Sequence, residues 1–223
     1  MVRFCRGVRV GVEYLSGSWN DCVRHADEFV AECEAGSPHY LESDVRQRRA
    51  IVRFARGDSA GADSDAGRAL DLVRQVKDPQ LFHHVFSSNI RLNAELGRLD
   101  VARALADELL PTIGVGARLD VLTEFAWVAD RIGMADALRE RLNELQPATS
   151  LWLKAGREIL DRQFEEAAET FDEIGSVPDE AEARLRAGQV LLAAGHRAEA
   201  GEQFERALGF YRAVGATRYA SRC

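Results

Sequence analysis

Two successive histidines, His83 and His84, and the pair Cys22 and His25 one helical turn apart are the first side chains that could hold a transition metal. Metal ligands must converge, and neighbours on a helix point about 100° apart, so these read as ordinary surface or interhelix residues and no metal is expected. Acid–base chemistry would draw on Glu165, Glu166 and Glu169, or on Asp179, Glu180 and Glu182, and would need them paired in a closed pocket. Both clusters fall near expected helix starts, where free N–H groups and the helix dipole favour negative charge, so they read as capping and solvated residues. The sequence carries no Gly-x-x-x-x-Gly-Lys-Ser/Thr phosphate loop. Neither catalysis nor a cofactor is expected.

The elements that must carry these residues are helical. Apolar residues recur at i, i+3 and i+4, as in Leu105, Leu109 and Leu110 or Leu138, Leu142 and Leu145. Alternating β-branched runs bounded by Asn-Gly or Asp-Gly turns are missing. With 46% hydrophobic residues in 223, the chain has enough apolar material to bury a core. Its 29 basic against 36 acidic residues leave no cationic excess for a phosphate backbone or an anionic bilayer, so neither direct nucleic-acid nor membrane binding is expected. Residues 1–15 interleave Arg3, Arg6 and Arg9 with valines and glycines and hold no apolar stretch of secretory length. Cys5, Cys22, Cys33 and Cys223 are scattered, and on one helix Cys22 and Cys33 would stand roughly 16 Å apart, beyond disulfide reach. A cytoplasmic location is expected.

Self-similarity organises the chain. Counting from Gly195, a small residue lies at +5 (Ala200), an aromatic at +9 (Phe204) and alanine at +12 (Ala207). The frame recurs from Gly17 (Cys22, Ala26, Phe29), Gly57 (Ala62, Ala66, Ala69) and Gly97 (Ala102, Ala106, Leu109). It continues from Gly133 (Leu138, Leu142, Leu145) and from Arg162, which stands where the glycine would be (Ala167, Phe171, Ile174). Six turn frames thus begin at 17, 57, 97, 133, 162 and 195. A left-handed residue ends one helix and turns the chain into the next, and the small residue at +5 lets the two helices approach. Seven residues before the turn a second small residue is expected, and Ala50, Ala126, Ala155 and Gly188 stand there. The expected architecture is all-α: a right-handed solenoid of about six antiparallel helix pairs, stacked because no pair buries its apolar face alone, forming one domain over 1–223.

Gly188, Gly195, Ala200, Phe204 and Ala207, followed by Tyr211, resemble the tetratricopeptide repeat. The frames are unevenly spaced, rather than the constant 34 or so of that family, and its tryptophan and closing proline are mostly replaced. The stretches 17–21, 31–40, 54–58, 192–200 and 211–219 are similar to the C-terminal helical region of large bacterial signalling ATPases, a group with adenylate-cyclase-linked proteins and LuxR-type transcriptional regulators. That resemblance implies a non-catalytic region, since no cyclase domain or obvious helix-turn-helix accompanies it.

Arg46, Arg49, Arg53 and Arg56 step by three and four along one expected helix, and Asn89 and Asn93 hold the positions of Arg49 and Arg53 one frame later. In peptide-binding tetratricopeptide arrays such residues hold a carboxylate or an extended segment, which makes Arg46, Arg49, Arg53, Asn89 and Asn93 the candidate partner-binding face. The competing reading pairs the arginines with Asp63, Asp65 and Asp71 on the next helix. Trp19, Trp127 and Trp152 are expected to pack between helices. The function expected is a protein-interaction scaffold with a protein or peptide partner. The alternative is the regulatory or sensor part of a signalling ATPase, cyclase or transcriptional regulator whose effector domain lies outside this chain. Val2, Phe4, Cys5 and Val8 at one end, and a further first helix that begins and breaks off over 217–223 at the other, suggest self-association through the terminal helices or docking onto a neighbouring domain or protein, with the stub 219–223 expected to be weakly packed or frayed.

Overall fold

The computed structural model describes residues 2–76, 78–114, 118–145 and 150–223. Helix accounts for 80% of these, and no strand occurs among them. The helices are α1 (Val2–Leu15), α2 (Trp19–Glu34), α3 (Glu42–Ala55), α4 (Ser59–Val76), α5 (Pro79–Glu95), α6 (Leu99–Leu109), α7 (Leu119–Ala129), α8 (Ala135–Asn143), α9 (Leu151–Leu160), α10 (Phe164–Ile174), α11 (Val177–Ala193), α12 (Arg197–Ala213) and α13 (Thr217–Ala220). A 3-10 turn, Leu110–Thr112, follows α6.

Each of the six frame positions falls between two consecutive helices and takes a left-handed backbone, with φ of 78° at Gly17, 91° at Gly57, 81° at Gly97, 67° at Gly133 and 89° at Gly195. Arg162 adopts the same conformation at 60°, the one non-glycine with positive φ among the described residues. The turn also satisfies the helix end: the Asp58 amide beyond Gly57 reaches back to the Arg53 carbonyl at 2.9 Å, and Ser18 does the same to Glu13 at 2.8 Å.

The small residues of the frame let the helices touch. Cys22, Ala62, Ala102, Ala167 and Ala200 are all buried, as are Ala50, Ala126 and Ala155 before the turns. Gly188 of α11 shows why size matters there: a Cβ would stand 2.6 Å from Cε1 of Phe204, whose ring packs against the glycine from α12. Trp19 and Trp127 are buried as expected, and Trp152 is partly covered.

Beyond each pair, α1, α3, α5, α7 and α9 touch in succession, and α1 also meets α11. The two ends of the described chain therefore meet. Trp19 of α2 and Phe210 of α12 meet edge to face with ring centroids 5.4 Å apart, and Arg56 Nε donates to the Val214 carbonyl at 3.0 Å. The C-terminal stub is not frayed. Tyr219 is buried, Arg218 Nε donates to the Phe54 carbonyl at 3.2 Å with its guanidinium 4.1 Å from the Phe54 ring centroid, and Arg222 pairs with Glu95. The stub docks because α3 and α5 offer a carbonyl, a ring and a carboxylate to its two arginines.

Candidate functional site

Ionisable side chains gather where α1, α3, α5, α7 and α11 face one another. Arg91 of α5 is the hub: Nη1 donates to Glu124 Oε2 at 2.8 Å, Nη2 lies 3.2 Å from Glu182 Oε2, and the guanidinium stands 5.9 Å from the Tyr219 ring centroid. The Tyr211 hydroxyl donates to the same Glu182 oxygen at 3.3 Å, while Arg186 Nε holds the other at 2.8 Å. Burial alone would raise the Glu182 pKa, but Arg186 and Arg91 overcome it and hold the carboxylate at about 2. One turn earlier on α11, Asp179 moves the other way. Burial and the field of Glu124 push it up to about 6, against the Ser176 hydroxyl that donates to it at 2.6 Å and the Trp127 indole at 3.4 Å.

The expectation that the 179–182 carboxylates are solvated caps is corrected for two of the three. Asp179 and Glu182 are 5% and 2% exposed, turned inwards because the opening turn of α11 is buried against α7 and α5. Glu180 pairs with Arg184 at 2.7 Å and Arg206 at 3.1 Å. Glu165, Glu166 and Glu169 are exposed on α10, as read. Ser176 beside Asp179 has the form of a hydroxyl next to a proton acceptor, yet Ser176 is 1% exposed and the pair closes the first turn of α11, so no substrate reaches it.

The other half of the axis holds Asp44 and Arg48 of α3, His84 of α5 and Arg118 ahead of α7. His84 Nδ1 lies 2.6 Å from Asp44 Oδ1. Burial would raise the Asp44 pKa, but His84, Arg48 and Arg118 hold it well below the usual carboxylate range. Burial and Arg48 push His84 down, with Asp44 opposing. His83 takes a separate partner, its Nε2 lying 3.2 Å from Thr112 Oγ1, so the two adjacent histidines diverge. His25 Nδ1 sits 2.8 Å from Glu13 Oε2, and burial drives the Cys22 thiol up to about 12. No group of three His, Cys, Asp or Glu side chains among the described residues is placed to hold a metal ion.

A cavity opens at each end of the axis. One, of about 320 Å³, is bounded by Trp127, Phe164, Arg162, Arg186 and Arg222. There Arg186 stands 5.4 Å from the Trp127 ring centroid, and the left-handed Arg162 stands 5.8 Å from that of Phe164. The other, of about 300 Å³, has a wall from α1 and a floor that includes Arg48 and Arg118.

The candidate partner face lies elsewhere and is consumed internally. Asp65 of α4 accepts from Arg49 Nε at 2.7 Å and Nη2 at 2.6 Å, from Arg53 Nη1 at 2.8 Å and from Arg46 Nη1 at 3.4 Å. Asp27 of α2 takes Arg49 Nη1 at 2.7 Å, and Glu42 and Glu34 each take Arg46 at 2.8 Å. Arg46, Arg49, Asn89 and Asn93 are buried, and Arg53 is partly so. Asn89 donates to Gln47 Oε1 at 2.7 Å and to the Val85 carbonyl at 2.9 Å, and Asn93 to the Asn89 carbonyl at 2.9 Å. The arginines and asparagines do not line a common open groove: the α2–α3–α4 junction neutralises the first set, and helix carbonyls and Gln47 occupy the second.

Arg48, Arg91, Glu124 and Tyr219 belong to the axis and carried no sequence signal as a group, because their helices are distant in the chain. Measured against protein-family models, curated proteins and solved structures, the chain matches none.

Proposed function

We propose that this chain is a non-catalytic interaction module, a right-handed solenoid of six antiparallel, tetratricopeptide-like helix pairs that binds a protein or peptide in the bacterial cytoplasm without a cofactor. The observation that carries the reading is the left-handed turn at all six frame positions, each followed by a buried small or apolar residue at +5. Apart from Arg48, ionisable groups on the axis pair with one another, which suits a rigid frame better than a reaction centre.

With the arginine stripe consumed internally, the surface offered to a partner is the outer face of α1. Phe4, Val8 and Val12 recur every fourth residue there and are exposed, with Val2 beside them and Tyr40 stacked on Phe4 at 6.4 Å between ring centroids. A pull-down from bacterial lysate comparing the wild type with Val8→Glu/Val12→Glu tests this. A protein enriched on the wild type and lost from a variant of unchanged helicity supports it, and equal enrichment on both moves the partner to another face. A doubled mass in light scattering that the variant abolishes assigns the patch to a second copy of the chain. A second reading, the sensor part of a signalling ATPase, cyclase or transcriptional regulator, is favoured by one observation: a cavity with a buried, unpaired cation at its floor.

A further inference from the structure

Five arginines among the described residues are less than a tenth exposed: Arg46, Arg48, Arg49, Arg91 and Arg184. Four are ion-paired, Arg46 with Glu34 and Glu42, Arg49 with Asp65, Arg91 with Glu124, and Arg184 with Glu180. Arg48 is the exception. It is 5% exposed, makes no hydrogen bond or salt bridge among the described residues, and leaves a buried Nε without a partner. Its guanidinium carbon stands 4.9 Å from the Tyr14 ring centroid, and Asp44 and Asp120 feel its charge only from beyond ion-pairing distance. The nearby carboxylates have closer partners, Asp44 in His84 and Asp120 in Arg118. A buried charge without a counter-ion is strongly disfavoured, and proteins ordinarily pair it.

Arg48 borders the cavity of about 300 Å³ at the α1 end of the axis. Val8, Val12 and Leu15 form one wall and Leu81 continues it, so the space joins an apolar channel to a cationic floor. At roughly 30 Å³ for a water-sized group, it takes about ten such groups. Asp44 and Asp78 also border it, which disfavours a multiply charged anion such as phosphate while leaving room for a single negative charge. Lone guanidinium and aliphatic wall together select a monoanion with an apolar tail.

We propose that this cavity binds a small aliphatic carboxylate, a chain of about six to ten carbons whose head group pairs with Arg48 and whose tail lies along Val8, Val12 and Leu15. The cavity shares Phe4, Val8, Val12 and Tyr40 with the α1 face offered to a protein partner, and Arg48→Met separates the two readings because it leaves those side chains in place. Calorimetry on the purified full chain with octanoate tests it, with octanol, octylammonium and inorganic phosphate as comparisons. Octanoate binds saturably, octanol at least tenfold more weakly, and octylammonium and phosphate not at all. Arg48→Met keeps the apolar stem and removes the charge. It folds and binds octanoate at least tenfold more weakly. Val12→Asp, at an exposed position on the wall, also loses octanoate binding. The proposal is overturned if octanoate gives no saturable binding to the wild type, if octanol binds as well, if Arg48→Met binds unchanged, or if Arg48→Met fails to fold, which would mean that the charge has a structural partner.

Discussion

The seams between consecutive helices carry alanine, glycine and aromatic rings among their apolar residues, and the contacts between α1, α3, α5, α7 and α11 add arginine, glutamate, aspartate and tyrosine to theirs. In the seams, Ala62, Ala66 and Ala69 or Gly188 and Phe204 act through size alone, letting neighbouring backbones approach. Along the axis, Arg91, Glu124 and Glu182 act through charge, and each is tolerable in the interior only because the others are there. A seam is a local solution between consecutive helices, whereas the axis forms only when distant helices meet. Damage to a seam should therefore stay modest and additive, and damage to the axis should be large and dependent on pH.

The largest effect is expected from Glu182→Ala, which strips Arg91 and Arg186 of a shared carboxylate and Tyr211 of its acceptor. Loss of one member of a buried ion cluster costs about 3–5 kcal/mol, measurable as a lowered urea midpoint. A loss below about 1 kcal/mol would put the axis on the footing of a surface ion pair.

Next comes Asp179→Asn. The folded-state pKa of Asp179, about 6 against an ordinary 3.8, means that its stabilising contribution is complete below pH about 4 and is lost as pH rises through 6. Glu182, about 2 against 4.5, contributes fully above pH 4.5 and loses that contribution as pH falls towards 2. Both contributions are near full only around pH 4 to 5, so these two groups alone place the optimum there. Asp179→Asn should stabilise the protein by about 2–3 kcal/mol at pH 8 and leave it nearly unchanged at pH 4. Equal effects at both pH values would remove Glu124 and burial as the cause.

On the seam side, Gly188→Ala should destabilise by about 1–2 kcal/mol, since the new methyl meets the Phe204 ring. Adding Phe204→Ala should cancel most of the clash, giving a positive coupling in a double-mutant cycle. Arg162→Gly is the smallest change. It relieves a left-handed non-glycine and gives up only exposed contacts, including an Asp130 oxygen 3.8 Å away. A gain of about 0.5 kcal/mol is expected in thermal melts, and a loss would show that the Arg162–Phe164 contact outweighs the strain.

The same division explains what could be read in advance. The turns at Gly57 or Gly195 were legible because a left-handed residue and the small residues around it lie within one stretch of chain. Even Arg162, which breaks the glycine rule, was placed by its neighbours Ala167 and Phe171. Asp179 and Glu182 misled because a carboxylate at a helix start has the same signature whether it faces water or Arg91, and only the α7–α11 approach decides. The arginines at 46, 49 and 53 carried both of their readings in the sequence, since Asp65 sits one helix away, but Asp27 on the preceding helix was not visible. Tyr219 and Arg222 could not be placed either, because their partners in α3 and α5 are more than a hundred residues upstream.

The central claim is that the inner helices curl until the N-terminal pair meets the C-terminal pair, sealing the polar axis. Nuclear Overhauser spectroscopy on the full chain tests it at Trp19 and Phe210, rings 5.4 Å apart between centroids yet far apart in sequence. A cross-peak between the Trp19 indole and the Phe210 ring, as clear as that between Trp19 and Tyr14 at 5.7 Å, is the result predicted. A Trp19–Tyr14 cross-peak with none to Phe210 would show an open array and contradict the account.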